Sequence, residues 1–218
     1  MKRVITVAGI AAGVIVGVAA YFYVDGSTAP VAPGHAVAPV AHDLFAASFS
    51  GTKPDGQFSL VGDHLQLDGR LLEFFDYYLA ALGERSLPEI RKQIEIELDH
   101  NLPTLAAAEA KKILGQYLAY RAALVDIDQN RNVGTDVIDS LRQRLAAARD
   151  ARSRHFSPQQ IQALFGSQQL DEEQALARLE IQQDATLTAE QKASRLAQLD
   201  TQLTPEQRRQ REVPLQHA

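Results

Sequence analysis

Few residues in this chain could carry chemistry, and their spacing argues against most of it. Asp126, Asp128, Asn130 and Asn132 alternate as the ligands of a calcium loop do. Such a loop needs Gly at its sixth position and Glu at its twelfth; counting from Asp126, these are Arg131 and Val137. The run reads as a polar helix end or kink. The histidines, at 35, 42, 64, 100, 155 and 217, include no i, i+4 pair and no His-Glu-x-x-His. No Gly-x-Ser-x-Gly elbow and no phosphate-cradling Gly-rich loop with Lys is present, and Ser50-Gly51-Thr52 reads as a turn. The absence of Cys excludes disulfides, thiolate metal sites and cysteine nucleophiles together. Glu73 and Asp76 stand at i, i+3 on one predicted helix, whereas paired carboxylates need to converge from different elements at roughly 5–10 Å. The sequence predicts no catalytic residue, no metal ligand and no cofactor.

What remains is a recognition chemistry concentrated in Arg70 to Glu84, RLLEFFDYYLAALGE. Leu71, Phe75, Tyr78 and Leu82 fall at i, i+4, i+7 and i+11, one face of an amphipathic helix, which Leu72, Leu79 and Ala80 widen. Asp68 is the expected N-cap, placing Leu71 at N3, and Gly83 the expected stop. Asp76 is flanked by aromatics on both sides. Either it faces water beside Glu73, or it is tied to a nearby backbone group or arginine, with Tyr77 presenting its hydroxyl.

These residues resemble the signature of the lipase-specific foldases, or lipase chaperones, which is Arg-x-x-Phe-Asp-Tyr-(aromatic or Cys)-Leu-(Ser/Thr)-Ala. Phe75, Asp76, Tyr77, Tyr78, Leu79 and Ala81 match it in register. Two positions depart: the motif arginine falls at Leu72, with Arg70 two residues earlier, and Ala80 replaces Ser or Thr. A second family feature, Ser-Leu-Arg-Gly-Thr-x-x-Asp-Gly, is similar to the run from Ser48 through Gly51, Thr52 and Asp55 to Gly56, again without its arginine. Further along, Arg154-His-Phe156 and Phe165-Gly166 resemble the pattern of the family's extended helical domain, which wraps around the lipase. The resemblance implies a steric chaperone with a secreted lipase as its client. It also implies a second mini-domain beyond the helical arm, which this sequence is expected to lack.

The elements that would position the motif can be taken in order. Lys2 and Arg3 precede Val4 to Val24, a run without a charged residue and about long enough for a ~30 Å bilayer. It exceeds the roughly 7–15 apolar residues of a cleavable signal, so an uncleaved inner-membrane anchor is expected, single-pass, with the N-terminus cytoplasmic and the bulk periplasmic. Residues 25–41, with Pro30, Pro33 and Pro39, form a semi-extended tether. The net charge of −5, more negative still beyond the anchor, argues against nucleic acid as a partner.

Residues 42–103 are expected to form a first mini-domain. Phe58, Leu60, Leu65 and Leu67 around Gly62-Asp63 suit two short strands or an ordered loop. Residues 104–218 should form an extended helical domain. Ser86 to Glu89, Ser157 to Gln160, Thr188 to Gln191 and Thr204 to Gln207 each put Glu or Gln three residues after Ser or Thr, the capping-box spacing. Helices are expected near 86–100, 104–128, 134–153, 157–166, 170–183, 188–202 and 204–212, carrying thin apolar stripes that suit contact with one neighbour or a partner.

The expected fold class is mainly α: an N-terminal transmembrane helix, an Ala/Pro-rich tether, a small mini-domain and a multi-helix arm. The expected function is ATP-independent assistance to the folding of a secreted lipase, with no enzymatic activity and no small-molecule substrate. The alternative is a membrane-tethered helical scaffold or adaptor of the cell envelope.

Overall fold

The computed structural model describes residues 45–49, 51–54, 58–130, 136–201 and 203. The expected anchor, the tether, Asp55, Gly56 and the 204–212 helix lie outside them. Among the described residues no helix is long and apolar enough to cross a membrane.

The chain is mainly helical. A 3-10 turn at Ala47–Phe49 precedes a hairpin of β1 (Ser59–Val61) and β2 (His64–Gln66). Six α-helices follow: α1 (Arg70–Leu79), α2 (Leu87–Asn101), α3 (Thr104–Gln129), α4 (Val137–His155), α5 (Pro158–Gln183) and α6 (Ala189–Thr201). The hairpin resolves the strand-or-loop alternative as strands. Ser59 pairs with Gln66, Leu60 with Leu65 and Val61 with His64, antiparallel. Gly62, at φ +61°, takes the left-handed conformation that a two-residue turn demands.

Helix starts follow the capping chemistry. Ser86 and Ser157 form complete capping boxes with Glu89 and Gln160, and proline occupies the first turn of both helices. Thr188 and Gln191 reciprocate in the same way, N–H to side chain at 2.9 Å and 3.3 Å. Helix α4 uses a signal that the sequence reading missed: Asp136 accepts the N–H groups of Ile138 and Asp139.

Three expectations need correction. Gly83 is not the stop of α1, which ends at Leu79 with Ala80 as its C-cap, so Leu82 lies beyond the helix. Asp68 does not cap α1; Gly69 is the N-cap, which makes Leu71 the second helical residue. Asp68 instead accepts the backbone N–H and the guanidinium of Arg70 at the mouth of the helix. The helices expected at 157–166 and 170–183 are one continuous helix, α5. Gly166 and the polar residues after it look like a break in sequence. However, Leu164 and Phe165 before them and Glu172 after them are all buried on the same helix, and packing overrides the weak local propensity.

One apolar cluster runs from Ala46 to Phe165. Helix α2 packs on α3, and Ile90, Ile94 and Leu98 of the one and Ala106, Ala107, Ala110 and Leu114 of the other are all buried in this cluster. The 160–169 stretch is less thin than its composition suggests, since Leu164 and Phe165 are 4% and 1% exposed. Helix α6 keeps the expected thin stripe, and none of its residues is buried.

Candidate functional site

Every Phe and Tyr of the described residues belongs to one unbroken series of ring contacts. Phe58 meets Phe74 (4.9 Å between centroids), Phe74 meets Phe75 and Tyr78, and Phe75 meets Tyr117 (5.9 Å). Tyr117 meets Tyr120, which meets Phe165 (5.4 Å) and Phe156. On the other side Phe49 stacks on Tyr77 at 4.5 Å and touches Tyr78 and Phe45. The series therefore joins the 45–52 segment, α1 and the α3–α5 region through tilted and edge-to-face ring contacts.

Polar bonds give this series its direction. Asp76, at the centre of α1, is tied and not free in water. Its Oδ1 accepts from Arg121 Nη1 at 2.6 Å and from the Tyr117 hydroxyl at 2.8 Å, both on α3. Arg121 also donates to the Tyr117 oxygen (2.9 Å) and lies over the Tyr117 ring. Loss of water raises the Asp76 carboxyl above its ordinary value; the Arg121 charge and the Tyr117 and Arg121 hydrogen bonds act against it. With 48% of the side chain still exposed, the carboxyl keeps contact with water on the side away from Arg121. Burial raises the Tyr117 hydroxyl, reinforced by the Asp76 charge, so it remains protonated and donates.

The two sequence features that resemble the family meet at Tyr77. Its hydroxyl is 2.9 Å from Thr52 Oγ1, and Thr52 Oγ1 donates to the Phe49 carbonyl. Gly51, at φ +79°, turns the chain toward this contact. Ser48 and Ala47 donate backbone N–H groups to Glu84 Oε2 at 3.3 Å and 2.8 Å. Arg85 donates to the Phe45 carbonyl (2.8 Å) and covers the Phe45 ring. The segment is thereby fastened to α1 and its exit loop.

Of the remaining motif residues, Phe75 and Ala81 are fully buried, and Tyr78 and Leu79 are 5% exposed. Leu72, where the motif arginine would stand, is buried as well. Arg70 does not substitute for that arginine: it pairs with Asp68 and reaches Ser59 Oγ at the hairpin, away from Asp76. Asp76 finds its cation on α3 instead. Sequence reasoning missed Arg121, Tyr117 and Glu84. Their only sequence signal is a Tyr117–Arg121 spacing of one helical turn, which does not name a partner.

Asp128 of the calcium-like run is engaged by Arg144 in a two-pronged ion pair at 2.7 Å and 2.9 Å, and Asn130 closes α3, as a polar helix end would. Among the described residues no group of three or more His, Cys, Asp or Glu side chains is placed to hold a metal.

Fold and site together define a helical protein with a polar-clamped aromatic node. Comparison with known proteins places it more closely. The sequence model of the Proteobacterial lipase chaperone protein family matches residues 113–218. A lipase chaperone of Chromobacterium violaceum is 35% identical over 79% of this chain and 55% of its own length. One from Ectopseudomonas mendocina is 36% identical over 73% of this chain and 48% of its own. A lipase-specific foldase of Burkholderia plantarii is 36% identical over 69% and 43%. The chain is thus similar to proteins of the lipase chaperone family, and it spans about half the length of the curated relatives it matches.

Proposed function

We propose that this chain works as a steric chaperone for a secreted lipase, anchored to the inner membrane through residues 4–24 with its bulk in the periplasm. On this reading it is not an enzyme and consumes no ATP. It lowers the barrier to the lipase's native state by offering a preformed complementary surface to a late folding species.

The observation that carries the reading is the node at α1. Phe75, Asp76, Tyr77 and Tyr78 are locked from both sides, by Arg121 and Tyr117 of α3 and by Thr52 and Phe49 of the preceding segment. A preorganised template loses less entropy on binding its client than a mobile one. The names of the relatives supply the client class, a lipase.

The test is refolding of a urea-denatured secreted lipase from the same organism, with and without the full chain in mild detergent, read as ester hydrolysis. Activity that appears only with the chain, with no ATP present, is the expected result. Equal activity in both tubes overturns the reading.

A further inference from the structure

Beyond the motif node, a second polar cluster lies where α3, α4 and α5 meet. Arg152 of α4 and Glu172 of α5 are 1% and 6% exposed at their side chains. They form a two-pronged pair, Arg152 Nη2 to Glu172 Oε1 at 2.7 Å and Nη1 to Oε2 at 3.1 Å. Arg152 Nε donates to the Tyr120 hydroxyl of α3 at 3.0 Å, and Gln168 Nε2 donates to Glu172 at 2.9 Å. The guanidinium lies over the rings of Phe165 (5.1 Å) and Tyr120 (5.8 Å).

Burying a charge pair is a poor route to stability, because desolvation offsets most of the attraction, and apolar replacements of similar volume are often neutral or better. What the pair supplies is direction. The surrounding contacts, Phe156 on Phe165 and Tyr120 on both, are apolar rings that tolerate sliding. A planar fork tolerates little, and a slip of α5 by one turn, about 5.4 Å, would separate Arg152 from Glu172 altogether. The register also fixes α5 against the head of the molecule. A Cβ added at Gly69, the N-cap of α1, would lie 3.6 Å from the Leu164 carbonyl oxygen of α5.

We propose that Arg152 and Glu172, with Tyr120, are positioning residues that set the register of α5 on α4 and hence the distance from the motif helix to the outer arm. In the foldase reading, on which only the activity arm of the test rests, that distance is the span that the client must match.

The experiment uses the full chain, which has no cysteine of its own. Glu73→Cys and Gln183→Cys, both at exposed positions, carry spin labels for distance measurement. The test variant is Arg152→Met with Glu172→Met; Glu172→Gln is the shape-preserving second. The methionine variant is expected to melt at or above the parent's midpoint while its label distance distribution broadens or shifts by about one helical turn. Its lipase refolding yield should fall about tenfold, and Glu172→Gln should show the same broadening in weaker form. An unchanged narrow distribution in both variants overturns the proposal. So does loss of folding in the methionine variant, which would make the pair a source of stability and not of register. If the parent chain refolds no lipase, the foldase reading fails while the label distances still decide this inference.

Discussion

Arg121 Nη1 lies 2.6 Å from Asp76 Oδ1, across 45 residues of sequence, and this contact fastens the motif helix α1 to the long helix α3. The pair is unevenly covered, with Arg121 12% and Asp76 48% exposed. Solvent screens the carboxylate end, so its strength should resemble a good partly exposed ion pair. A double-mutant cycle of Asp76→Ala and Arg121→Ala is expected to give a coupling of about 1 kcal/mol in urea unfolding. Coupling near zero would mean that Tyr117 alone holds Asp76.

Tyr77 contributes through its ring and its hydroxyl, and the two can be separated. Tyr77→Phe removes the contact with Thr52 and keeps the stacking on Phe49, so a loss of about 0.5–1 kcal/mol is expected, with refolding activity largely retained. Tyr77→Ala also removes the stacking and should free the 45–54 segment. Limited proteolysis should then cut within that segment faster than in the parent, and under the proposed foldase function lipase refolding should be lost. A Tyr77→Ala chain that resists protease and refolds lipase normally would show that the node is dispensable.

The hairpin is hooked to α3 by a single carboxylate. Glu109 accepts from His64 Nδ1 at 2.7 Å and from the Leu65 N–H at 2.8 Å. The side-chain bond with His64, then the backbone bond, hold the Glu109 carboxyl below its ordinary value of 4.5. A depressed folded-state value means that its contribution is present above the unfolded value and lost as pH falls through the folded one. Between neutral pH and about pH 5, Glu109→Gln should therefore speed amide exchange at Leu65. Well below pH 4 the two proteins should converge, because the parent carboxyl is then protonated too. A difference that persists unchanged into acid would contradict the assignment.

The sequence made three helix starts legible because each is a local event. Ser86, Ser157 and Thr188 sit three residues from their Glu or Gln partners, and the hairpin turn is announced by Gly62-Asp63. The face of α1 was equally readable, since Leu71, Phe75 and Tyr78 are spaced by its own period. What stayed hidden was each long-range choice. Asp76 allowed two readings, and its partners lie 41 and 45 residues away. Arg152 and Glu172, 20 residues apart on different helices, look in sequence like ordinary surface charges. The false break after Phe165 has a related cause: glycine and a polar run lower local helix propensity, but burial on both sides of them holds the helix together.

That continuity makes Gly166 the position at which propensity and packing can be weighed against each other. In a helix interior glycine costs about 0.5–1 kcal/mol relative to alanine. A Cβ at Gly166 would come 3.0 Å from Gln162 Nε2, the far end of a flexible side chain that can swing aside, and would meet no other residue within 4 Å. Gly166→Ala should thus stabilise the chain by about 0.5 kcal/mol in urea unfolding, somewhat less than Gly115→Ala on α3, where nothing lies within 4 Å. A destabilised Gly166→Ala would mean that Gln162 is held firmly against the α5 backbone. Under the proposed foldase function, a stabilised variant that refolds lipase poorly would locate a close approach of the client at this turn of α5, because the added methyl group would then obstruct the partner and not the chain itself.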